Sequence, residues 1–453
     1  MPRFAWLVTA WFCLGPAHAA TPPAWKAQAD AVVAALPANA PGASIAVVDH
    51  GRVVYESARG LASVELNVPL TPASVLRIGS LTKTVTAATV MRLVSQGKLG
   101  LDAPIARWLP DFPHADQITT RQLLSHTSGV SDRWTAPLAE PLDTAGRLKL
   151  IAATPLDFAP GTDWRYSNSG YMVLGAIIEK VTGKPWADAE RELAVAPLGI
   201  DGVAYHGDAD VVARFATGYT LNDGGKVAKP ILYSITGPGA AGALSATASG
   251  MGRWLHGLAT DKAFGPGIFA SMSTPARIGD VELPYGLGMV PGQVQGVAVS
   301  EHSGGIEGYL AYYVYVPSTD LAVVVLENSD APAMQARSLA RRLAALALGK
   351  PYRTLVAQAW SASQLQGIAG SYAIPGGGMH VIEVRDGAAW IHRDNGPPKR
   401  LATCADDTLA YTGDGIAYLR VMRDAKGAAT GIDFHDDGVE QGRREGRVLD
   451  AGR

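Results

Sequence analysis

The chain has 453 residues, of which 47% are hydrophobic and 18% are charged, and its formal net charge at pH 7 is −2. This length and composition are typical of a folded protein of two or three domains and exclude a long disordered or low-complexity chain. A net charge this close to zero gives no reason to expect nucleic acid or an anionic membrane as a partner.

Residues 1–19 have the pattern of a cleavable signal peptide. Arg3 supplies a positive charge, Phe4 to Leu14 is apolar, and Ala17-His18-Ala19 is an A-x-A cleavage signal. The apolar stretch is too short to span a bilayer, which needs about 20 residues. We therefore expect cleavage after Ala19, export to the periplasm or the exterior, and no membrane span. Cleavage would leave Cys404 as the only cysteine, so we expect no internal disulfide and a buried, inert thiol.

The mature chain begins with a predicted hairpin, in which Asp49-His50-Gly51 separates two apolar strands. A core helix is expected next, starting at Ser80 and ending at Gly97. Ser80 and Lys83 lie three residues apart on this helix, so their side chains share a face. A neutral lysine amine beside a serine hydroxyl can take its proton and create a nucleophile. A second S-x-x-K sequence, Ser95 to Lys98, spans the helix end and is interpreted as a solvated turn.

Two further motifs supply partners for this serine. Tyr166 and Asn168 form a Y-x-N sequence, and a phenol beside a lysine can share the proton transfer if the cation lowers its pKa. His302-Ser303-Gly304-Gly305 precedes a predicted strand. A Gly-Gly pair there lets the backbone lend an N–H group to an oxyanion.

Together, S-x-x-K, Y-x-N and H-x-G in this order resemble the penicillin-recognising serine hydrolases, which include class C β-lactamases, D-alanyl-D-alanine carboxypeptidases, D-aminopeptidases and related esterases. Other matching stretches support the resemblance over about residues 25 to 345: Leu123 to Gly129, Phe158 to Gly161, Gly242 to Ala248 and Tyr285 to Met289. The resemblance implies an exported serine hydrolase with Ser80, Lys83 and Tyr166 as catalytic residues. It also implies that Asn168, His302, Gly304 and Gly305 bind the substrate.

The substrate class stays open at this point. The resemblance implies a small-molecule or short-peptide substrate that carries an ester, amide or lactam, which Ser80 attacks to form an acyl-enzyme without a cofactor. A lysine at position 302 would favour a substrate carboxylate, whereas His302 favours a D-amino-acid peptide, an amide or an ester without excluding a β-lactam. Glu307 is a hypothetical receptor for a substrate amine. The alternative is a penicillin-binding protein that is acylated with little turnover.

The resemblance implies an α+β fold at residues 20–350: an antiparallel sheet flanked by helices, with an inserted helical lobe. We expect a linker at 351–365 and a small antiparallel β-barrel, similar to lipocalin-like domains, at 366–453. Sequences such as H-E-x-x-H and C-x-x-C are missing, so no metal is predicted. His126 is interpreted as structural. Trp134 and Trp164 could line the pocket, but core packing is the expected role of each. The sequence leaves the oligomeric state open.

Overall fold

A computed structural model describes residues 24–260, 263–412, 416–437 and 443–448 of the chain. The expected signal peptide lies outside these ranges. No helix within them combines the length and the apolar character needed to cross a membrane. The α-helices, in chain order, are α1 (Ala24–Ala34), α2 (Thr82–Ser95), α3 (Thr120–Leu124), α4 (Thr144–Ala152), α5 (Asn168–Thr182), α6 (Trp186–Glu190), α7 (Ala248–Ala259), α8 (Ile268–Ser273), α9 (Ala336–Ala347) and α10 (Ala362–Ile368).

Among the described residues, the longer strands lie at 43–59, at 290–327 and from 370 onwards. The remaining strands are two or three residues long. In chain order, the strands are β1 (Ala43–Asp49), β2 (Arg52–Arg59), β3 (Leu61–Ser63), β4 (Val68–Pro69), β5 (Leu76–Arg77), β6 (Val203–Tyr205), β7 (Thr220–Leu221), β8 (Val227–Ala228), β9 (Leu244–Ala246), β10 (Arg277–Ile278), β11 (Val281–Glu282), β12 (Val290–Val294), β13 (Val297–Ile306), β14 (Tyr309–Val316), β15 (Leu321–Glu327), β16 (Gly370–Ala373), β17 (Met379–Arg385), β18 (Ala388–Arg393), β19 (Lys399–Cys404), β20 (Thr408–Tyr411), β21 (Tyr418–Arg423), β22 (Ala429–His435) and β23 (Arg443–Val448).

The central sheet has six antiparallel strands in the order β12-β13-β14-β15-β1-β2. The expected α+β fold is therefore confirmed, with a sheet built from both ends of the domain. The predicted hairpins β1–β2 and β14–β15 form at the expected turns. Strand β1 pairs with β15 from Ala43–Glu327 to Asp49–Leu321, which joins the two chain segments at the middle of the sheet.

Helices cover both faces of this sheet. Helices α1 and α9 pack on one face, where alternate residues of β1 and β15 such as Val47 and Val323 are fully buried. Helix α7 packs on the other face, which joins the core of the helical lobe containing α2 and α5. Helix α2 is buried along almost its whole length, as its sequence predicts. A fully surrounded helix of this kind holds any side chain at its start in a fixed position.

The C-terminal region is a closed antiparallel barrel of eight strands, β16 to β23. This confirms the expected barrel, and Cys404 on β19 is buried there. One difference concerns the predicted linker at 351–365, whose last residues begin helix α10. Ser361 and Gln364 form a capping box at its start, and Leu365 and Ile368 are buried in the barrel core.

Candidate active site

Ser80 lies in a single 3₁₀ turn, Gly79–Leu81, between β5 and α2. Strand β12 pairs with β13 only as far as Glu301. Beyond Glu301 this edge of β13 lies beside the turn Gly79–Leu81. Gly79 has φ +49°, and a Cβ atom there would lie 2.7 Å from the backbone N of Gly305. Only glycine fits this backbone conformation and this approach without strain. The sequence thereby places the turn that carries Ser80 next to the backbone of Gly305.

Lys83 is the second residue of α2 and is completely buried. Its Nζ atom donates to Ser80 Oγ at 3.0 Å, to Asn168 Oδ1 at 2.7 Å and to the carbonyl oxygen of Ala241 at 2.8 Å. Burial lowers the pKa of Lys83 from its ordinary value to about 7, although the charge of Asp132 opposes this shift. A large share of the amine is therefore neutral near neutral pH, as base chemistry requires.

The beginning of α5 brings Asn168 to this lysine. Ser167 is the N-cap, with its Oγ accepting from the backbone N–H of Gly170, so Asn168 is the first helical residue and its side chain is free to contact Lys83. Asp132 holds the same turn, because its carboxylate accepts from the backbone N–H groups of Asn168 at 2.8 Å and Ser169 at 2.7 Å. The sequence analysis missed Asp132, which belongs to none of the motifs.

Tyr166 also lies beside Lys83, whose amine donates to Ser80 Oγ. The ring centroid of Tyr166 is 4.9 Å from Lys83 Nζ. The condition set for Tyr166 as a proton-transfer partner, a pKa lowered by the lysine, is not met, because burial raises the pKa of Tyr166 above its ordinary value. Tyr166 is therefore a phenol at neutral pH, suited to donate or relay a proton, while Lys83 is the stronger candidate for the base.

His302 lies on β13 with only 2% of its surface exposed. Its Nδ1 donates to the carbonyl oxygen of Ser303 at 2.6 Å, so Nε2 accepts from Tyr285 Oη at 2.8 Å. Burial lowers the pKa of His302 to about 4. The imidazole is thus neutral, its two nitrogens are occupied by the protein, and it faces Tyr285 instead of open solvent.

The two glycines that follow have different positions. Gly304 is buried against the turn before Ser80, and a Cβ atom there would lie 2.0 Å from the carbonyl oxygen of Ile78. Gly305 is exposed and lines the cavity in front of Ser80, where a Cβ atom would meet Leu310 at 3.5 Å, an ordinary contact. Gly304 therefore allows the close approach, and Gly305 presents its backbone to the cavity.

His126 packs among aromatic rings behind the site. Its ring centroid lies 4.3 Å from that of Tyr166 and 4.5 Å from that of Tyr285. His126 Nδ1 accepts from the backbone N–H of Ser167 at 3.1 Å. The ring is 1% exposed and its pKa lies well below the ordinary value because of burial, which agrees with the structural role expected of it. It orients the loop that carries Tyr166.

A cavity of about 610 Å³ opens in front of Ser80. Trp134 lines it, with its Nε1 donating to Ser169 Oγ at 2.8 Å. Trp134 thus takes the alternative role of lining the pocket, and it also packs against the core of the helical lobe. Trp164 does lie against His126, edge to face.

The charged side chains that line this cavity are all acidic. They are Asp132, Glu140 and Glu307; among the described lining residues there is no lysine, arginine or histidine. Nor do the described residues include a cluster of three or more His, Cys, Asp or Glu side chains able to hold a metal ion. The cavity therefore favours a cationic group on whatever molecule reaches Ser80.

The arrangement of a serine hydroxyl, a buried amine and a backbone N–H in one cavity can support acyl transfer. The sequence profile of the family described as "Beta-lactamase" matches residues 29–348. The chain belongs to the Beta-lactamase family. The resemblance drawn from the motifs is thereby confirmed at family level.

The relatives within the Beta-lactamase family include hydrolases of several kinds. Esterase EstB of Burkholderia gladioli is 38% identical over 179 residues, which are 35% of this chain and 45% of the esterase. A D-aminopeptidase of Gluconobacter oxydans is 27% identical over 342 residues, which are 72% of this chain and 63% of that protein. The chain thus spans about half to two thirds of these relatives.

Solved structures of the same family share the fold. D-amino acid amidase from Ochrobactrum anthropi SV3, complexed with D-phenylalanine, has a TM-score of 0.60 and 25% identity, covering 71% of this chain and 96% of the amidase. A structure described as SurE has a TM-score of 0.61 and 27% identity, covering 94% of this chain and 98% of that chain. The second match therefore includes a C-terminal region like the barrel described above.

Proposed function

We propose that this protein is a serine hydrolase that cleaves amide or ester bonds of D-amino-acid derivatives carrying a free amino group. The observation that carries this proposal is the acidic cavity in front of Ser80, whose charged lining residues are three carboxylates. A protonated substrate amine would be attracted to these groups, whereas a substrate carboxylate would be repelled. His302 is neutral and supplies no cation for a carboxylate.

The first half of the reaction begins at Lys83. Its neutral amine takes the proton of Ser80 Oγ, and the resulting alkoxide attacks the substrate carbonyl. The ammonium formed on Lys83 is stabilised by Asn168 Oδ1 and the carbonyl oxygen of Ala241, both within 2.8 Å of Nζ. The backbone N–H groups of Ser80 and Gly305 hold the oxyanion.

Tyr166 protonates the leaving group. Its ring lies beside Lys83, which donates to Ser80 Oγ, and its raised pKa keeps the phenol proton in place until it is donated. Lys83 then returns the proton to Tyr166, and the acyl group remains on Ser80. In the second half, water is deprotonated by the same groups and attacks the ester, which releases the acid and regenerates Ser80.

The relatives support the choice of substrate class. Among the named relatives and neighbours are D-aminopeptidases and a D-amino acid amidase, which agree with the acidic cavity. The esterase relative supports turnover of activated esters as well. The D configuration of the proposed substrate is inferred from the names of these relatives. Its free amine is inferred from the charge of the cavity.

The test compares D-alanine p-nitroanilide with its N-acetyl derivative on the purified full-length mature chain. We expect kcat/KM to be at least about tenfold higher for the free amine, since a charge-assisted hydrogen bond contributes roughly 1.5–3 kcal/mol. Glu307→Gln and Glu140→Gln should each reduce this preference. Glu56→Gln, an exposed carboxylate on β2, is the matched control and should leave it unchanged.

Equal or faster turnover of the N-acetyl compound would contradict recognition of the amine. A parallel series with L-alanine p-nitroanilide tests the handedness separately. Loss of all turnover in Ser80→Ala is expected with every substrate in the set.

We also propose that the enzyme acts outside the cytoplasm, because Ala17-His18-Ala19 has the pattern of a signal-peptidase site. Sequencing the N-terminus of the protein recovered from the periplasm or the medium tests this. A mature N-terminus at Ala20 is expected, and a protein that stays in the cytoplasm with Met1 or Pro2 at its N-terminus would contradict the proposal.

A further inference from the structure

A second cavity, of about 430 Å³, adjoins the cavity in front of Ser80. The two share three lining residues, Tyr233, Ile306 and Glu307. The second cavity has no part in the chemistry described above. It differs from the first in charge, because Arg77 and Lys229 line it. A substrate that is held at Ser80 can therefore extend past the shared residues into a differently charged space.

Arg77 is the distinctive group of this second cavity. Its guanidinium carbon lies 4.9 Å from the ring centroid of Phe215, and Nη1 donates to the carbonyl oxygen of His206 at 2.7 Å. These contacts fix the plane of the guanidinium. Within the described residues Arg77 forms no ion pair with a carboxylate. A fixed, half-buried guanidinium in a cavity, without such a partner, is suited to bind an anion.

The other charges of this cavity already have partners. Asp208 accepts from Ser234 Oγ at 2.6 Å with one oxygen and from the backbone N–H of Ile235 at 2.9 Å with the other. Lys229 forms an ion pair with Glu65. The remaining carboxylate, Glu307, is the one shared with the first cavity, where it faces the substrate amine. Arg77 is thus the charge still available to a ligand.

The direction of the substrate follows from the proposed function, on which this inference rests. The leaving group must lie near Tyr166, which protonates it, and the ring centroids of Tyr166 and His302 are 6.4 Å apart. Strand β13 ends at Ile306, so Glu307 follows it directly, two residues past Gly305 on the side away from His302. The acyl part of the substrate therefore points towards Glu307 and the second cavity.

We propose that this second cavity binds an anionic group on the acyl part of the substrate, with Arg77 as the residue that contacts it. The fitting substrates are derivatives of D-amino acids with acidic side chains, such as D-glutamyl amides. Their amino group lies by the carboxylates of the first cavity, and their side-chain carboxylate lies against Arg77.

The test uses D-glutamic acid α-p-nitroanilide and D-glutamine p-nitroanilide, which have almost the same shape and differ in side-chain charge. In the full-length mature enzyme, kcat/KM should favour the glutamyl compound by about tenfold or more, the range expected of a charge-assisted hydrogen bond. Without Arg77, the acidic first cavity would disfavour the glutamyl compound. Arg77→Gln should therefore reduce the ratio to 1 or below, and Arg77→Lys should preserve part of it.

Arg253→Gln removes an exposed arginine of α7 and is the matched control, expected to keep the original ratio. Circular dichroism and melting temperature show whether each variant folds, and the ratio compares two substrates on the same protein, so a general loss of activity cancels. A ratio near 1 in the unmodified enzyme would overturn the proposal. So would a high ratio that survives Arg77→Gln in a folded protein.

The ratio of kcat/KM between the glutamyl and glutaminyl compounds is measured independently of the test of the proposed function. If N-acetylated substrates are preferred, the amine claim fails, and the glutamyl and glutaminyl compounds are compared as their N-acetyl derivatives. A ratio that still depends on Arg77 then supports the anionic subsite alone. If free amines are preferred and the ratio is near 1, the proposed function stands and the subsite fails.

Discussion

At the scale of single residues, the site depends on the burial of one amine. Lys83 is completely buried, and its Nζ atom is held by three oxygen acceptors within 3.0 Å. Desolvation penalises the ammonium form and lowers the pKa to about 7, where the ordinary value of a lysine is near 10.4. An amine with this pKa can act as a base near neutral pH.

This environment predicts the pH dependence of the reaction. With p-nitrophenyl acetate, which has no titrating group, kcat/KM should rise with pH through a single ionisation near 7 and then level off, because only neutral Lys83 accepts the proton of Ser80. The pKa of His302 is about 4, so its ionisation cannot account for a rise in kcat/KM near pH 7. A profile that is flat between pH 5 and 9, or a limb near pH 10, would contradict the assignment of Lys83 as the base.

The sequence motifs identify residues by type and spacing, and this is why some partners escaped them. Ser80 and Lys83 are three apart on the chain, and their contact follows from helix geometry. Asp132 lies 36 residues from Asn168, and the carbonyl of Ala241 lies 158 residues from Lys83. Such contacts depend on how the helical lobe packs, and a carbonyl group has no side-chain identity that a motif could show. The hydrogen bond to His302 Nε2 likewise comes from Tyr285, a residue that is close in space and belongs to a different sequence motif.

At the scale of secondary structure elements, the site depends on the contact between the Ser80 turn and the open edge of β13. The two glycines of that strand offer a matched pair of variants. Gly304→Ala should destabilise the protein by about 1–3 kcal/mol and reduce activity, because the new Cβ atom would meet the carbonyl oxygen of Ile78 at 2.0 Å. Gly305→Ala should change stability little, since its Cβ atom meets Leu310 at 3.5 Å.

Urea unfolding of both variants beside the parent protein measures this difference. Equal destabilisation by the two substitutions would show that the strand does not lie against the turn as described. The sequence indicated a close backbone approach at this Gly-Gly pair. Which glycine makes it became evident only from the register of the strand against residues 79–81.

A second prediction at this scale concerns Glu190, at the end of α6 beneath α2. Its side chain is 1% exposed, and its Oε1 lies 2.7 Å from Thr86 Oγ1. Burial raises its pKa to about 8, whereas an unfolded chain would have a value near 4.3. The folded state therefore holds this proton more tightly, and stability falls as pH rises from about 4 to 8.

Glu190→Gln removes this ionisation. Relative to the parent protein, the variant should gain stability from pH 5 to pH 9, by on the order of 4 kcal/mol, as measured by denaturant unfolding at both pH values. Glu192→Gln, an exposed neighbour, is the control and should show no such gain. A difference between variant and parent that is the same at both pH values would contradict the buried, protonated state of Glu190.

At the scale of the whole molecule, an ion network connects the barrel to the strand that carries His302. Arg341 of α9 is 1% exposed, and its Nη1 donates to Glu301 Oε1 at 2.6 Å and to Oε2 at 2.5 Å. Its Nη2 lies 3.3 Å from Asp437, which follows the barrel strand β22 and also pairs with Arg337 at 2.5 Å. The barrel thus contributes a carboxylate to a cluster next to the active-site strand.

The two carboxylates of this network should differ in their effect on stability. Glu301→Gln leaves Arg341 buried beside a neutral group and should cost about 3 kcal/mol or more. Asp437→Asn removes a partly exposed carboxylate and should cost about 1 kcal/mol or less. Calorimetric melting of both variants checks this order, and a larger effect of Asp437→Asn would mean that contact with the barrel holds Arg341 in place.

The architecture at this scale was largely predictable from local patterns. Alternating strands with tight turns at Asp49 to Gly51 and Pro317 to Asp320 specify hairpins, and both form. The order of strands in the sheet comes from pairing between distant segments, which local periodicity does not show. Helix α10 was missed because its short sequence lies at the boundary between linker and barrel.

The proposed hydrolase carries its acyl group on Ser80 during turnover, and rapid-quench mass spectrometry detects this intermediate directly. The purified mature protein is mixed with excess D-alanine p-nitrophenyl ester, quenched in acid within milliseconds and digested. We predict that one alanyl group is found on the peptide containing Ser80, that it disappears as substrate is consumed, and that Ser80→Ala shows neither adduct nor turnover. An adduct on another residue, or turnover that persists in Ser80→Ala, would contradict the account.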